Sequence, residues 1–373
     1  MKNQASGDWV VKKLGEVTDI YGGGTPKRSI PEYWGNDVPW LTMEDTNNLN
    51  VVGTAQYISN EGLQNSNAQI VPAGSVNLSC TATVGSVTIN RIPLTTNQQF
   101  NSFHPHNGLI PEFLAYELMY KKKEIQNLGG TTTIPFISKS SISNLAVSIP
   151  PINNQQKIAS ILSSVDDAIQ KTDQIIQKTE KLKQGLADEL LNSKSKNWKS
   201  FSLKELCNFT TGKLNSNQAV DNGKYPFFTC AKETFSIDRY SFNTKAVLLA
   251  GNNAAGIYSV KYYHGKFDAY QRTYVITVKD ESVLDYHFLK ELLNIRLNLL
   301  KDFSVGTNTK FLTLKLLLSL EVSLPPIDVQ RQIVEILSTL DKKIDAENLN
   351  RDRLKLLKAG LMSDIFGQKV QIN

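Results

Sequence analysis

Residues 145–194 of this chain recur without a gap at residues 320–369, and 18 of the 50 aligned positions are identical. The shared positions include Val147/Val322, Pro150-Pro151-Ile152/Pro325-Pro326-Ile327, Gln155/Gln330, Ile158/Ile333, Asp166/Asp341 and Gly185-Leu186/Gly360-Leu361. A period of 175 residues is far longer than the roughly 20–50 of solenoid repeats. The chain therefore reads as two copies of one domain, each ending in the same long helix.

Both copies carry a heptad stripe. In the first it runs through Ile158, Leu162, Val165, Ile169, Thr172, Ile176, Thr179, Lys183, Leu186 and Leu190. In the second it runs through Ile333, Leu337, Leu340, Ile344, Glu347, Arg351, Leu354, Lys358, Leu361 and Ile365. The prolines bar an earlier helix start, and Asn153 and Asp328 stand where an N-cap belongs, with Gln156 three residues on as in a capping box. Amphipathic helices this long need a partner, and the nearest is the duplicate. A twofold, antiparallel pairing would place Thr172 by Arg351 and Ile176 by Glu347, with Glu347 and Arg351 pairing one turn apart.

The duplication extends into the globular parts. Trp9, Leu14, Glu16, Val17, Ile20 and Gly23 match Trp198, Leu203, Glu205, Leu206, Phe209 and Gly212 at an offset of 189, whereas Ala82/Ala255, Ser86-Val87/Ser259-Val260 and Gln98/Gln271 match at 173. Short β-type runs bounded by Gly, Asn and Pro are expected at 75–78, 86–89, 246–249, 256–260 and 273–276. Helices are expected over 111–123 and 285–300. Strands with interspersed helices give an α/β or α+β class for each domain. The expected boundaries are 1–150 and 195–325 for the globular domains, and 151–194 and 326–373 for the helices.

With 373 residues and 40% hydrophobic content, both copies can form real cores. No apolar run is long enough to span a membrane, and Met1 to Asp8 lacks the hydrophobic core of a signal peptide, so a cytoplasmic location is expected. Cys80, Cys207 and Cys230 are widely spaced and odd in number, which suits buried small residues better than disulfides or zinc. The net charge of +6 resides in residues 198–319, which carry +6, against −1 for residues 1–144. A basic domain suits nucleic acid or another acidic surface. The first domain would have to use a local patch such as Lys27-Arg28 or Lys121-Lys122-Lys123.

Motifs for catalysis are missing. Gly22-Gly23-Gly24 lacks the Gly-Lys-Ser/Thr ending of a P-loop, and there is no His-Glu-x-x-His or Gly-x-Ser-x-Gly. Both Pro-Pro pairs follow Ile149 or Leu324 and precede Ile, unlike the Asn/Asp-Pro-Pro-aromatic motif of adenine methyltransferases. His104 and His106 flank Pro105 with no third ligand at a metal-binding spacing. The sequence describes a recognition chain without an active site of its own.

Trp9 to Val17, the Gly-Gly-Gly-Thr-Pro turn at Gly22 to Pro26, the segments Glu32-Tyr33-Trp34-Gly35 and Val38-Pro39-Trp40-Leu41-Thr42, and the doubled Pro-Pro-Ile-x-x-Gln-x-x-Ile motif together carry a resemblance. Over nearly its whole length the chain resembles the DNA specificity subunit of type I restriction-modification systems. It departs from the usual pattern at Asn154 and Val329, where Glu is common before the Gln. The resemblance implies that each globular domain is a target recognition domain reading one half of a bipartite, asymmetric DNA target. It implies an antiparallel coiled coil that sets the spacer and docks two methyltransferase subunits, with motor-nuclease subunits completing the complex. S-adenosylmethionine, ATP and Mg²⁺ would belong to those partners, and none to this chain.

Base reading favours Arg, Lys, Asn and Gln, and phosphate contact favours Ser, Thr and backbone amides. Polar loops at matching places give the candidate DNA-binding residues: Lys27, Arg28, Thr81, Thr83, Asn97, Gln98 and Lys139 in the first domain, and Asn252, Asn253, Gln271, Arg272, Asn308 and Lys310 in the second. Two other classes compete with this reading. A fused methyltransferase or nuclease would show activity alone, and a coiled-coil scaffold would not need the basic second domain.

Overall fold

The computed structural model describes residues 9–81, 83–129, 136–192, 198–253, 258–306 and 309–370. The chain folds as two compact units, residues 1–172 with 350–373, and residues 173–349. The division runs through both long helices, so each unit contains a globular part, the half-helix that follows or precedes it, and the half of the duplicate helix packed alongside.

In the first unit a five-stranded sheet has the order Thr18–Gly22, Phe100–Pro105, Val76–Ser79, Val87–Asn90, Asn50–Val51. Its central strands Val76–Ser79 and Val87–Asn90 are buried at every position. Covering both faces demands that their polar side chains find partners inside. Ser102 donates to Asn77 Oδ1 at 2.7 Å, Asn77 donates to Asn90 Oδ1 at 3.3 Å, and Asn90 donates to the Pro72 and Ile92 carbonyls at 2.8 Å each. A smaller three-stranded sheet orders Gln56–Ile58, Trp34–Leu41 and Thr95–Thr96. The expected helix over 111–123 is two helices, Pro111–Tyr120 and Lys122–Asn127, with Lys121 at the junction. Pro111 sits at the first helical turn, where its missing N–H costs nothing.

In the second unit a six-stranded sheet has the order Cys207–Thr211, Thr273–Val278, Phe242–Ala250, Val260–Ala269, Tyr225–Phe228, Phe235–Ile237. The strand expected at 256–260 begins at Val260 and continues to Ala269, while residues 254–257 lie outside the described residues. Tyr286–Asp302 is helical, N-capped by the Asp285 carboxylate, which accepts from His287 N and Phe288 N. Pairing is mostly antiparallel in both units, with parallel pairs at Trp40-Leu41/Thr95-Thr96, Asn50-Val51/Ile89-Asn90 and Phe227-Phe228/Asp268-Ala269. Mixed sheets with segregated helices place both globular parts in the α+β range of the expected class. Cys80 and Cys207 are buried, whereas Cys230 is half-buried rather than fully enclosed.

Each globular part is closed by its own two-stranded ladder. Val10–Lys13 pairs antiparallel with Ala146–Ile149, and Lys199–Ser202 pairs with Glu321–Leu324. The partner strand in each case leads directly into Pro-Pro and the long helix, so the entry and exit of the domain are pinned together.

The long helices are Ile152–Leu191 and Ile327–Phe366, 40 residues each. They begin one residue earlier than the expected caps. The Pro151 carbonyl accepts from Asn154 N and Gln155 N at 2.9 and 3.1 Å, and the Pro326 carbonyl accepts from Val329 N and Gln330 N at the same distances. Asn153 and Asp328 therefore lie within the first turn, because a proline with fixed φ already supplies the entry geometry. Every stripe position of both helices is buried or half-buried. In the first unit Ile158 and Leu162 share a core with Ile365 and Phe366, and Asp166 meets Lys358, so the half-helices run antiparallel. In the second, Ala187 and Leu191 share a core with Ile333 and Leu337, and Lys183 meets Asp341. Extending Asp166 opposite Lys358 by turns of opposite sense puts residue 172 opposite 352, one residue from the expected register. Cross-helix ion pairs join Asp166 to Lys358 and Lys183 to Asp341, and Arg351 Nε lies 3.5 Å from its neighbour Asp352.

Candidate nucleic-acid interface

In the first unit three loops leave one end of the five-stranded sheet. The register pairs Gly22 with Asn101, Ser79 with Phe100 and Leu78 with Val87, so the loops after Gly22, after Ser79 and before Phe100 are neighbours. They carry Lys27, Arg28, Thr81, Thr83, Asn97 and Gln98. The glycines are there for close packing. A Cβ on Gly23 would lie 1.7 Å from the Asn97 carbonyl oxygen, and one on Gly24 would lie 2.3 Å from Ala68 N. Gly23 N and Gly24 N donate to the Phe100 and Thr96 carbonyls, so this turn spends those donors on the sheet.

Aromatic side chains brace the same turn. Trp40 donates its indole N–H to the Gly24 carbonyl at 2.9 Å, Trp34 donates to the Lys27 carbonyl at 3.4 Å, and the two rings meet edge-on at 5.0 Å. The Arg28 guanidinium lies over both, 4.8 Å from the Trp34 centroid and 5.5 Å from that of Trp40. Lys27 and Arg28 are exposed. The Thr25 hydroxyl donates to Gln98, tying the turn to the neighbouring loop, and Asn97 is held by reciprocal bonds with Gln99 at 2.9 Å each. Thr81 bridges to Phe136, and the Thr83 carbonyl accepts from Ser79. Lys139 sits apart on a short helix and donates to the edge-strand carbonyl of Ile20 at 2.5 Å.

The second unit repeats the close packing with different ornaments. A Cβ on Gly212 would lie 1.8 Å from the Ala269 carbonyl oxygen. Gln271 donates to Asn215 Oδ1 at 3.0 Å, matching the Thr25–Gln98 brace. Asn252 and Asn253 pair antiparallel with Phe311 and Lys310, which brings both asparagines and Lys310 together. Arg272 joins them: its guanidinium lies 5.0 Å above the Phe311 ring and its carbonyl accepts from Gly251 N at 2.8 Å. Asn252 Oδ1 is buried and without a hydrogen-bond partner among the described residues. Asn308 lies outside the described residues.

Next to this cluster a cleft of about 560 Å³ is lined by residues including Cys230, Asn253, Tyr258, Lys261 and Asn294. Burial holds the Lys261 ammonium below the usual lysine range. Its Nζ donates to the Ala231 and Glu233 carbonyls at 3.1 and 2.7 Å. In the first unit His104 Nδ1 sits 3.1 Å from the Ser75 hydroxyl and His106 Nε2 sits 3.2 Å from Asp19 Oδ1. No group of three His, Cys, Asp or Glu positioned to hold a metal occurs among the described residues.

Two matches to the family model of the type I restriction modification DNA specificity domain cover residues 6–181 and 195–356. The chain belongs to this family. The MjaIX specificity subunit of Methanocaldococcus jannaschii is 34% identical over 170 residues, 44% of this chain and 39% of its own. The EcoDI specificity subunit of Escherichia coli is 37% identical over 157 residues, 42% of this chain and 34% of its own. Each of these alignments spans less than half of the relative's length. A type I system S subunit from M. genitalium has the same fold, with a TM-score of 0.65 at 17% identity over 100% of this chain and 99% of that one.

Within this specificity-domain chain, the motif glutamines have a role that spacing alone does not reveal. Gln155 is buried and makes three bonds at 2.9 Å: it accepts from Ile110 N and donates to the Gly108 and Pro150 carbonyls. Gln330 repeats this, accepting from Asp285 N at 3.0 Å and donating to the Val283 and Pro325 carbonyls at 2.8 and 2.9 Å. Each amide bolts its long helix to the loop that starts the domain helix. The aromatic platforms under Arg28 and Arg272 were likewise not evident from sequence; the only signal was the Trp34 and Trp40 pair flanking the motif segment.

Proposed function

We propose that this chain is the DNA sequence-specificity subunit of a type I restriction-modification complex. Each unit would read one half of a bipartite, asymmetric target, and the paired helices would fix the spacer. The observation that carries this reading is the duplicated scaffold whose loops, gathered at one sheet end and braced by glycine packing, differ in the side chains they present. Equivalent scaffolds place two readers in related poses, and different loop residues make the half-sites different. The loops carry Arg, Lys, Asn and Gln, the residue types that meet base edges, with Thr for phosphates.

Docking of two methyltransferase subunits is supported by exposed apolar side chains at duplicated positions of the long helices. Ile161 and Leu357 are 43% and 51% exposed in the first unit, and Ile336 and Leu182 are 45% and 53% exposed in the second. Each unit thus offers the same Ile and Leu pair, which suits two copies of one partner. Motor-nuclease subunits would complete restriction. S-adenosylmethionine, ATP and Mg²⁺ would be held by those partners, this chain performing no chemistry, and the complex would work in the cytoplasm.

The test is reconstitution with the methyltransferase subunit of the same system. The chain alone should transfer no methyl group, whereas the complex should methylate adenines within a single split motif. Methyl transfer by the chain alone, or methylation by the complex without a defined motif, overturns the reading.

A further inference from the structure

We propose that Arg28 and Arg272 are the guanine readers of the two units, so that each half of the target contains a G·C pair whose guanine is held at O6 and N7 by one of these side chains. The inference rests on the specificity-subunit reading and deepens it. Among the described residues, the other arginines of the globular parts are engaged or partly enclosed. Arg91 is spent on Glu112 at 2.6 Å and Asn50 at 2.8 Å and Arg239 on Gln218, while Arg296 is half-buried, with its Nε enclosed and unbonded. Arg28 and Arg272 are exposed, form no ion pair with a described residue, and hold their guanidinium carbons over aromatic rings, 4.8 Å from the Trp34 centroid and 5.0 Å from that of Phe311.

That combination has a specific chemical use. An aromatic face supports the guanidinium without consuming its in-plane donors, so the fork stays free while its orientation is restricted. A planar, oriented fork matches the two acceptors of guanine in the major groove, and less rotamer freedom is lost on binding. A phosphate contact needs none of this, since lysine serves as a point charge. The platforms are themselves fixed: Trp40 and Trp34 by their indole bonds to the turn, Phe311 by pairing with Asn252 and by reciprocal backbone bonds with Val305 at 2.8 and 3.1 Å. The positions are not equivalent between the repeats. Arg28 comes from the loop after the first sheet strand and Arg272 from the turn before Thr273, so the two guanines need not occupy corresponding places in the half-sites.

The experiment uses the full chain assembled with its methyltransferase, acting on a plasmid library with randomised sequence, followed by mapping of methylated adenines. Arg28→Lys and Arg272→Lys keep the charge and remove the fork. Each should erase a guanine preference at one position of one half-site, lowering discrimination there by about 5- to 150-fold and leaving the other half intact. Lys27→Gln, a neighbouring exposed charge, should weaken all sequences alike and reduce the slope of log affinity on log salt by about 0.9. A uniform loss in the Arg→Lys variants, restored at low salt, would mark them as phosphate contacts and overturn the inference. So would a change at an A·T position, in both halves, or in neither. Thermal melting of each variant at the wild-type temperature establishes that the loss is not unfolding. A wild-type complex that methylates no defined sequence would instead break the specificity-subunit reading, a result distinct from any of these.

Discussion

Replacing Asp166 by Asn, Lys358 by Met, and both together measures what joins the antiparallel half-helices of the first unit. Lys358 Nζ lies 2.7 and 2.8 Å from the two carboxylate oxygens of Asp166, and Tyr116 donates its hydroxyl to Asp166 Oδ2 at 2.8 Å. The side chains are 19% and 27% exposed, and the ammonium lies 5.1 Å over the Tyr116 ring. At an effective dielectric of about 20 the gross attraction is roughly 6 kcal/mol, most of it offset by desolvation of two largely enclosed charges. Removing either partner leaves the other enclosed without its counter-charge. We expect each single substitution to cost about 2–3 kcal/mol, between the values for exposed and buried pairs. The double variant should cost little more than either single, giving a coupling of about 2 kcal/mol. For a unit near 200 residues the singles would lower the melting transition by about 4–12 °C. The assay is a double-mutant cycle in urea with thermal melting alongside. Single costs that add in the double variant to within about 0.5 kcal/mol would refute the argument, because the two charges would then not be interacting.

Three further outcomes follow from specific contacts. Gln155→Leu strands the Ile110 N–H and two carbonyls in a buried site and should lower stability by about 2–4 kcal/mol in urea unfolding, with Gln330→Leu giving a similar loss in the second unit. Glu117 is 1% exposed, and burial pushes its carboxyl up to about 7 from an ordinary 4.5, so the folded state holds a proton that the unfolded state releases above pH 4.5. Stability should then fall as pH rises from 4.5 to 7, by about 3 kcal/mol in total, and Glu117→Gln should flatten that decline in melting curves taken at pH 5 and 8. Gly23→Ala would drive a Cβ to 1.7 Å from the Asn97 oxygen, so methylation mapping should show recognition lost in one half-site, with Gly212→Ala, at 1.8 Å from the Ala269 oxygen, affecting the other.

The long helices were legible because heptad spacing, prolines and duplication all point the same way. Their ion pairs were less so. Lys183 and Lys358 stand on the apolar stripe, and Asp166 and Asp341 are identical across the copies, yet nothing local says that a lysine reaches across to an aspartate 158 or 192 residues away. Polar stripe residues suggested that Glu347 and Arg351 set the register, and the structure adds cross-helix ion pairs between the duplicated Lys and Asp, which the stripe alone did not single out. The change in offset between the repeats from 189 to 173 also has a physical source. The first unit carries the strands Asn50–Val51 and Gln56–Ile58 and the helix Asn60–Gln64 between its Trp40 segment and its central strand. The second has only the strand Phe235–Ile237 in the corresponding stretch.

Matching positions across a duplication select for what two domains share, and recognition of an asymmetric target depends on what they do not. Gln98 and Gln271 align in sequence, and in the structure both spend their side chains bracing the loop beyond the packed glycine, Gln98 through Thr25 and Gln271 through Asn215. Gly23 and Gly212 align, and both fit a backbone that tolerates no side chain. Gln155 and Gln330 align, and both bolt a helix to its domain. In each case identity reports scaffold, because the same local geometry must be satisfied twice. The stacked arginines behave in the opposite way. Arg28 has no arginine counterpart beyond Gly212, and Arg272 has Gln99 at the aligned place. Each sits on an aromatic platform that its own loop context supplies. If the two arginines read bases as proposed, they are free to differ between the copies so long as the frame beneath them is held, and such unmatched side chains would give two similar domains different sequence preferences.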